Sequence, residues 1–147
     1  MKRIHVTNNK IIRLNKKYNQ DKRTFKPKGL WYSIDNEWTE WCIDNMPHWV
    51  KKHTFELDLD MSNILIISSA KEALNFMQTY QSKIHIVLGI NWEAVAEEYD
   101  GIEIQNYYSI RYNKTLMFSM NSLWISSWDV NSGCIWNLDI LKEIKRV

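Results

Sequence analysis

An α+β domain with a split or curved, antiparallel-rich sheet and short helices is the fold class this sequence predicts. Three observations carry that expectation. Strand-like runs outnumber helical ones, the helical stripes are short and scattered between them, and no repeat or linker divides the chain. At 147 residues, 45% of them hydrophobic and 24% charged, the chain matches one domain with a sizeable core. Residues 1–147 are therefore read as a single domain, of which 1–28 form a basic N-terminal strand and loop.

Ile4 and Val6 alternate with His5 and Thr7, which predicts a half-buried strand over Arg3–Thr7 with His5 and Thr7 on one face. Residues 8–28 are polar, basic and weakly patterned, and read as an extended or mobile loop ending near Pro27. Gly29 opens a strand over Leu30–Ser33. Asp35 then caps a short helix carrying Trp38, Trp41 and Cys42, with Pro47 just past its end.

Phe55, Leu57, Leu59 and Met61 alternate with Glu56, Asp58 and Asp60, the two-residue period of a strand with one wet face. Asn63–Ser68 reads as a buried strand. Ser69 and Glu72 form a capping box ahead of a helix with an Ala70, Ala73, Leu74 and Met77 stripe. Lys83–Leu88 reads as a strand, and Asn91 caps a helix bearing Trp92, Val95 and Ala96. Asp100-Gly101 marks a turn into a strand over Ile102–Tyr107, with Glu103 directed opposite to Ile102 and Ile104. Strands are expected around Ser109–Tyr112, Leu116–Met120, Leu123–Trp128 and Cys134–Asn137, and a short helix over Asp139–Val147.

Composition narrows the function classes. The longest apolar run, Ile64–Ile67, is far too short for a bilayer span, and no apolar signal core precedes the first strand. Two cysteines provide no disulfide framework, so a reducing cytoplasm is expected, with no membrane partner. Cys42, His48 and His53 lack zinc spacing, and no metal is expected. The net charge of +2 hides an asymmetry: residues 1–28 hold ten Lys or Arg and one acid, or +9, leaving −7 for the remainder. Such an arm suits a polyanion, either nucleic acid or a dinucleotide pyrophosphate, and equally suits a solvated face. Eight tryptophans imply a ring-rich core, with one or two free to wall a binding site.

GxGxxG, Walker A, GxSxG and HExxH patterns are absent. What remains is an ordered set of motifs. His5-Val6-Thr7 comes first, then Lys26-Pro27-Lys28-Gly29-Leu30-Trp31-Tyr32-Ser33 and Trp38-Thr39-Glu40-Trp41-Cys42. Tyr99-Asp100-Gly101-Ile102-Glu103-Ile104 follows, and Trp128-Asp129 through Ser132-Gly133-Cys134-Ile135-Trp136 closes the series.

This order resembles the ADP-ribosyltransferase-like superfamily, especially its histidine–tyrosine–glutamate branch, in a compact bacterial or phage-like form. The resemblance implies NAD⁺ as substrate and either ADP-ribose transfer to a protein or nucleic acid, or NAD⁺ hydrolysis. It further implies that His5 and Thr7 contact the nicotinamide side, and that Gly29, Trp31, Tyr32, Ser33, Trp41 and Tyr99 shape the nicotinamide site. Breaking the nicotinamide–ribose bond builds positive charge on the ribose, so a carboxylate is needed beside it. Glu103 is the first candidate and Asp129, on the later motif, the second. The final Ser-Gly-Cys-Ile-Trp block matches no motif of that superfamily. Taken singly, His5 and Glu103 read as strand residues facing water and Trp41 as core. Two other functions stay open: a non-catalytic module binding a nucleotide, nucleic acid or protein, and a Cys134–His hydrolase.

Overall fold

The computed structural model of the chain describes residues 1–12, 14–22, 24–82, 89–118 and 123–147. Alternation does what it should at the start of the chain. Strand β1 spans Arg3–Thr7 and β2 spans Leu30–Ile34. Helix α1 (Glu37–Asn45) follows, then a 3₁₀ turn at Pro47–Trp49 and β3 (His53–Leu59). The expected capping by Asp35 is corrected: the helix starts one residue later. Asp35 sits in the left-handed region (φ 48°) and its carboxylate accepts from the Lys2 amide at 2.7 Å.

Strand β4 (Ile64–Ile67) leads into α2 (Ala70–Tyr80), where Ser69 Oγ accepts from the Glu72 amide as the capping pattern predicts. Asn91 caps α3 (Trp92–Glu98) through its bond from the Ala94 amide. Strand β5 (Gly101–Ile104) then pairs in parallel with β4, so α2 and α3 belong to a crossover. Asp100-Gly101 is therefore no hairpin turn. The Asp100 carboxylate instead staples two loops, accepting from Asn63 Nδ2 at 2.9 Å and Asn137 Nδ2 at 2.8 Å. The expected strand over Lys83–Leu88 lies outside the described residues.

Three expected strands are helices: α4 (Tyr107–Arg111), α5 (Lys114–Met117) and α6 (Leu123–Ser126). Short aromatic runs of this kind suit a strand or a buried helix equally, and Asn113 decides one case by capping α5 with two side-chain bonds. The final strands are β6 (Ser132–Ile135) and β7 (Leu141–Arg146), separated by a 3₁₀ turn at Leu138–Ile140. The tail is thus a strand and not a helix. It docks along β3 from Phe55↔Arg146 to Leu59↔Leu141.

The seven described strands form one curled mixed sheet in the order β4-β5-β6-β2-β1-β3-β7, antiparallel except for β4–β5. Its faces carry separate cores. Ile67, Ile102 and Ile104 pack with α2, α3 and the later helices around the buried Trp92, Trp124, Trp128 and Trp136. On the opposite face Leu30, Tyr32, Ile34, Leu57, Leu59 and Ile135 form a second cluster. Burying four tryptophans in a chain of this size fulfils the ring-rich core expected from composition. No described helix is long and apolar enough to cross a membrane.

The described residues of the arm, 8–12, 14–22 and 24–28, are anchored at several points. Tyr18 N–H donates to Trp136 O at 2.8 Å, Leu138 N–H donates to Lys16 O at 2.9 Å, and the Trp92 indole donates to Thr24 O at 3.0 Å. Gln20 clips the arm shut by bonding both the amide and the carbonyl of Lys28.

Candidate functional site: a cleft where the sheet opens

Strands β1 and β2 pair at only two positions, Arg3↔Ile34 and Ile4↔Ser33. Beyond them β1 stays with β3 through Thr7↔His53, and β2 stays with β6 through Leu30↔Ile135. The sheet therefore opens beside His5. The Trp31 carbonyl on the freed edge accepts from the His5 ring at Nδ1, 2.7 Å away. A carbonyl cannot donate, so this bond places the proton on Nδ1 and leaves Nε2 as an acceptor.

A cleft of about 290 Å³ occupies the opening, walled by Ile4, Val6, Trp31, Trp38, Trp128 and Val130, with His5, Lys26, Tyr32, Ser33 and Ser132 contributing polar atoms. Its size suits one planar ring with a sugar. The two serines are turned to backbone, Ser33 Oγ to Asp35 O and Ser132 Oγ to Val130 O. Trp31 and Trp128 meet edge to face at 4.9 Å. The Trp128 indole N–H is buried and has no acceptor among the described residues, an unsatisfied donor in a cleft wall.

A second recess of about 260 Å³ shares His5 and Trp31 and adds Thr7, Asn9, Gly29 and Leu30, with Ile12, Leu14 and Tyr18 of the arm. Gly29 is required here because a Cβ would run into the Ile135 carbonyl and the Cys134 sulfur.

Charge in the cleft lining comes from Lys26, on which Asp129, between two lining residues, acts. The Lys26 ammonium lies 5.1 Å from the Trp31 ring centroid. Desolvation lowers its pKa, opposed by the negative charge of Asp129. Asp129 sits between two cleft residues in the left-handed region (φ 66°). Desolvation raises its carboxyl pKa and Lys26 opposes the rise. The loop bearing Asp129 is fixed from α1, where Glu37 accepts from the Asn131 amide at 3.0 Å and from its Nδ2 at 2.9 Å. Asn131 Oδ1 in turn accepts from the Tyr107 amide at 2.7 Å.

Glu103 is 0% exposed, so its reading as a solvent-facing strand residue is corrected. It projects to the face opposite Ile102 and Ile104, as the alternation predicts, but that face is buried too. Arg3 Nε donates to it at 2.7 Å, Arg3 Nη2 at 3.3 Å, the Tyr32 hydroxyl at 2.8 Å and Gln105 Nε2 at 2.7 Å. The pKa of the Tyr32 phenol is raised well above its ordinary value, by burial first and the Glu103 charge second. Tyr32 lies across Gly133, where a Cβ would collide with the phenol ring and hydroxyl. Gly133→Ala is expected to push Tyr32 off Glu103 and destabilise the fold by about 1–3 kcal/mol, checked by urea unfolding.

His5, Tyr32, Trp31 and Ser33 thus meet at one cleft, with Asp129 in the chain between the lining residues Trp128 and Val130 but not itself lining it, while Thr7 and Gly29 belong to the adjoining recess. Trp41 does not line the cleft; it stacks on Trp38 at 5.1 Å. Tyr99 is also elsewhere, packed on the helical core with its carbonyl accepting from the Trp136 indole at 2.6 Å. Sequence reasoning missed Arg3, Lys26, Trp38 and Trp128. For Arg3 a signal existed, since it shares the face of His5 on β1. Cys134 is fully buried, its thiol pKa is pushed well up, and it is no nucleophile.

Burial lowers the His5 pKa below its ordinary 6.5. The fold holds the neutral ring, so below 6.5 the unfolded chain binds more protons and stability falls with pH. Stability is expected to be complete above that value and to decline from it down through the folded pKa. His53 adds to the slope with the same sign, through desolvation and then the charges of Arg146, Lys10 and Lys52. Urea midpoints near pH 7.5 and pH 5.5 should separate in the wild type, and separate less in His5→Asn.

No family model matches the chain, and neither a curated protein nor a solved structure matches it.

Proposed function

We propose that the chain is an NAD⁺-consuming enzyme of ADP-ribosyltransferase-like type, with the nicotinamide riboside end of NAD⁺ in the cleft beside His5. The observation that carries this reading is the tautomer-fixed His5 at an aromatic-walled opening of the sheet, with the carboxylate of Asp129 next in chain to the lining residues Trp128 and Val130. His5 Nε2 accepts from a ribose hydroxyl, and Lys26 faces the pyrophosphate. The bond from ribose C1′ to the nicotinamide nitrogen breaks, and its electron pair leaves with neutral nicotinamide. Asp129 stabilises the positive charge left on the ribose, and water or an acceptor group adds at C1′ and loses a proton. In this assignment Glu103 positions Tyr32 and does not meet the sugar.

A second reading is favoured by the saturation of Glu103, which accepts from Arg3, Tyr32 and Gln105 at once. A nucleotide-binding module that performs no chemistry would keep its strand carboxylate tied up in this way. The test is nicotinamide release from NAD⁺ by the purified protein, supplied in turn with water alone, a protein mixture and nucleic acid. Release sustains the enzyme, and intact NAD⁺ under all three conditions leaves the binding module.

A further inference from the structure

The aromatic row that begins in the cleft continues onto the surface. Trp38 lines the cleft, Trp41 stacks on it at 5.1 Å with an interplanar angle of 9°, and Trp49 lies 6.2 Å and 6.3 Å from the two. Trp49 is 41% exposed, although burial of such a ring favours folding. Past Trp49 the chain runs into Lys51, Lys52 and His53. The Lys52 amide donates to Asn8 Oδ1 at 3.3 Å, bringing the start of the basic arm alongside, and Arg146 Nη2 lies 2.9 Å from His53 Nδ1. Lys10, Lys52 and Arg146 are the charges that act on His53, and none of the three lies in an ion pair with an acid among the described residues. Of the nearby acids, Glu56 is held by Lys2 and Glu37 by Asn131, while the exposed Asp44, three residues beyond Trp41 on α1, flanks that ring.

An exposed indole, Trp49, tilted by 33° and 39° against the half-buried stacked pair Trp38 and Trp41, stands beside these cations; an unpaired polynucleotide uses such a pairing, with bases stacking on rings and phosphates meeting charges. We propose that Trp41, Trp49, Lys10, Lys52 and Arg146 form a binding track for single-stranded nucleic acid that leads to the cleft at Trp38. That the bound strand is the acceptor of ADP-ribose rests on the enzyme reading above; the track itself does not. Duplex DNA offers phosphates but no free base faces, so the track discriminates against it. A lipid surface would meet the cations without needing the rings in register.

The test is fluorescence anisotropy of the full chain with a labelled oligothymidylate and an oligouridylate of about 20 nucleotides, without NAD⁺. The same sequences as duplexes and anionic phosphatidylserine vesicles serve as competitors. Binding to the single strands is expected, with Kd rising about tenfold in Trp49→Ala. Lys52→Ala should weaken binding and flatten the plot of log affinity against log salt by about 0.7. Trp49→Phe, which keeps a ring, should recover part of the loss, and an unchanged near-ultraviolet dichroism outside the lost band confirms folding. Absent binding at low salt, unchanged affinity in both alanine variants, equal competition by duplex, or preference for vesicles would each overturn the track. Strand binding with NAD⁺ left intact supports the track and overturns only the enzyme reading, whereas nicotinamide release without strand binding does the reverse.

Discussion

Arg3→Met is expected to lower the unfolding free energy by about 3–5 kcal/mol, a fall of roughly 10 °C or more in melting temperature for a chain of this size. Glu103 is wholly buried, and Arg3 is the one cation among its observed partners. Removing Arg3 leaves the carboxylate with Tyr32 and Gln105 as neutral donors in a site that water does not reach. Breaking a buried pair from one side is costly because a charge is stranded, whereas removing both charges is not. The double variant Arg3→Met/Glu103→Leu should therefore recover much of the loss, although it leaves the Tyr32 hydroxyl unpartnered. A single variant within about 1 kcal/mol of the wild type would mean that the Arg3–Glu103 pair does not hold the centre of the sheet.

Asp129→Asn is expected to reduce nicotinamide release by about 10²–10³-fold while leaving stability nearly unchanged. On the enzyme reading proposed above, the substitution keeps shape and removes only the charge that would meet the developing cation. It stays in the left-handed region that Asp129 occupies, which asparagine tolerates well. Lys26→Met gives an independent check through pH. Lys26 holds down the Asp129 pKa, so its removal should move the acid limb of the rate profile upward. Glu103→Gln should act differently, lowering stability along with rate. If Asp129→Asn keeps full activity and Glu103→Gln abolishes it in a folded protein, the two carboxylates exchange roles.

Local rules made much of this fold legible. Alternation located β1 and β3, Gly29 located β2, and Ser69 and Asn91 located the starts of α2 and α3, because each follows from one or two residues acting on their own backbone. Leu123–Ser126 and Leu141–Arg146 failed for the opposite reason. The three apolar residues of Leu123–Ser126 fit either state, and only the docking of β7 along β3 makes the tail a strand. At the site, His5, Trp31 and Tyr32 were visible as residue types in order along two early strands. The pairing of Arg3 with Glu103, one hundred positions apart, was not, since it depends on which strands become neighbours. Trp41 and Tyr99 were misplaced because an aromatic residue in a motif carries no information about which side of the sheet its ring will join.

Sheet order also governs when the cleft can exist during folding. β2 lies between β1 and β6, so Trp31 must find Cys134 before its strand is enclosed on both sides. Closing a loop of that length precedes any gain from pairing, and chains dominated by such distant contacts fold slowly. During synthesis His5 and Trp31 emerge before Trp128, Asp129 and all of β6. A ribosome-bound chain therefore displays its basic arm and unpaired edges before β6 is available to close the sheet and complete the cleft.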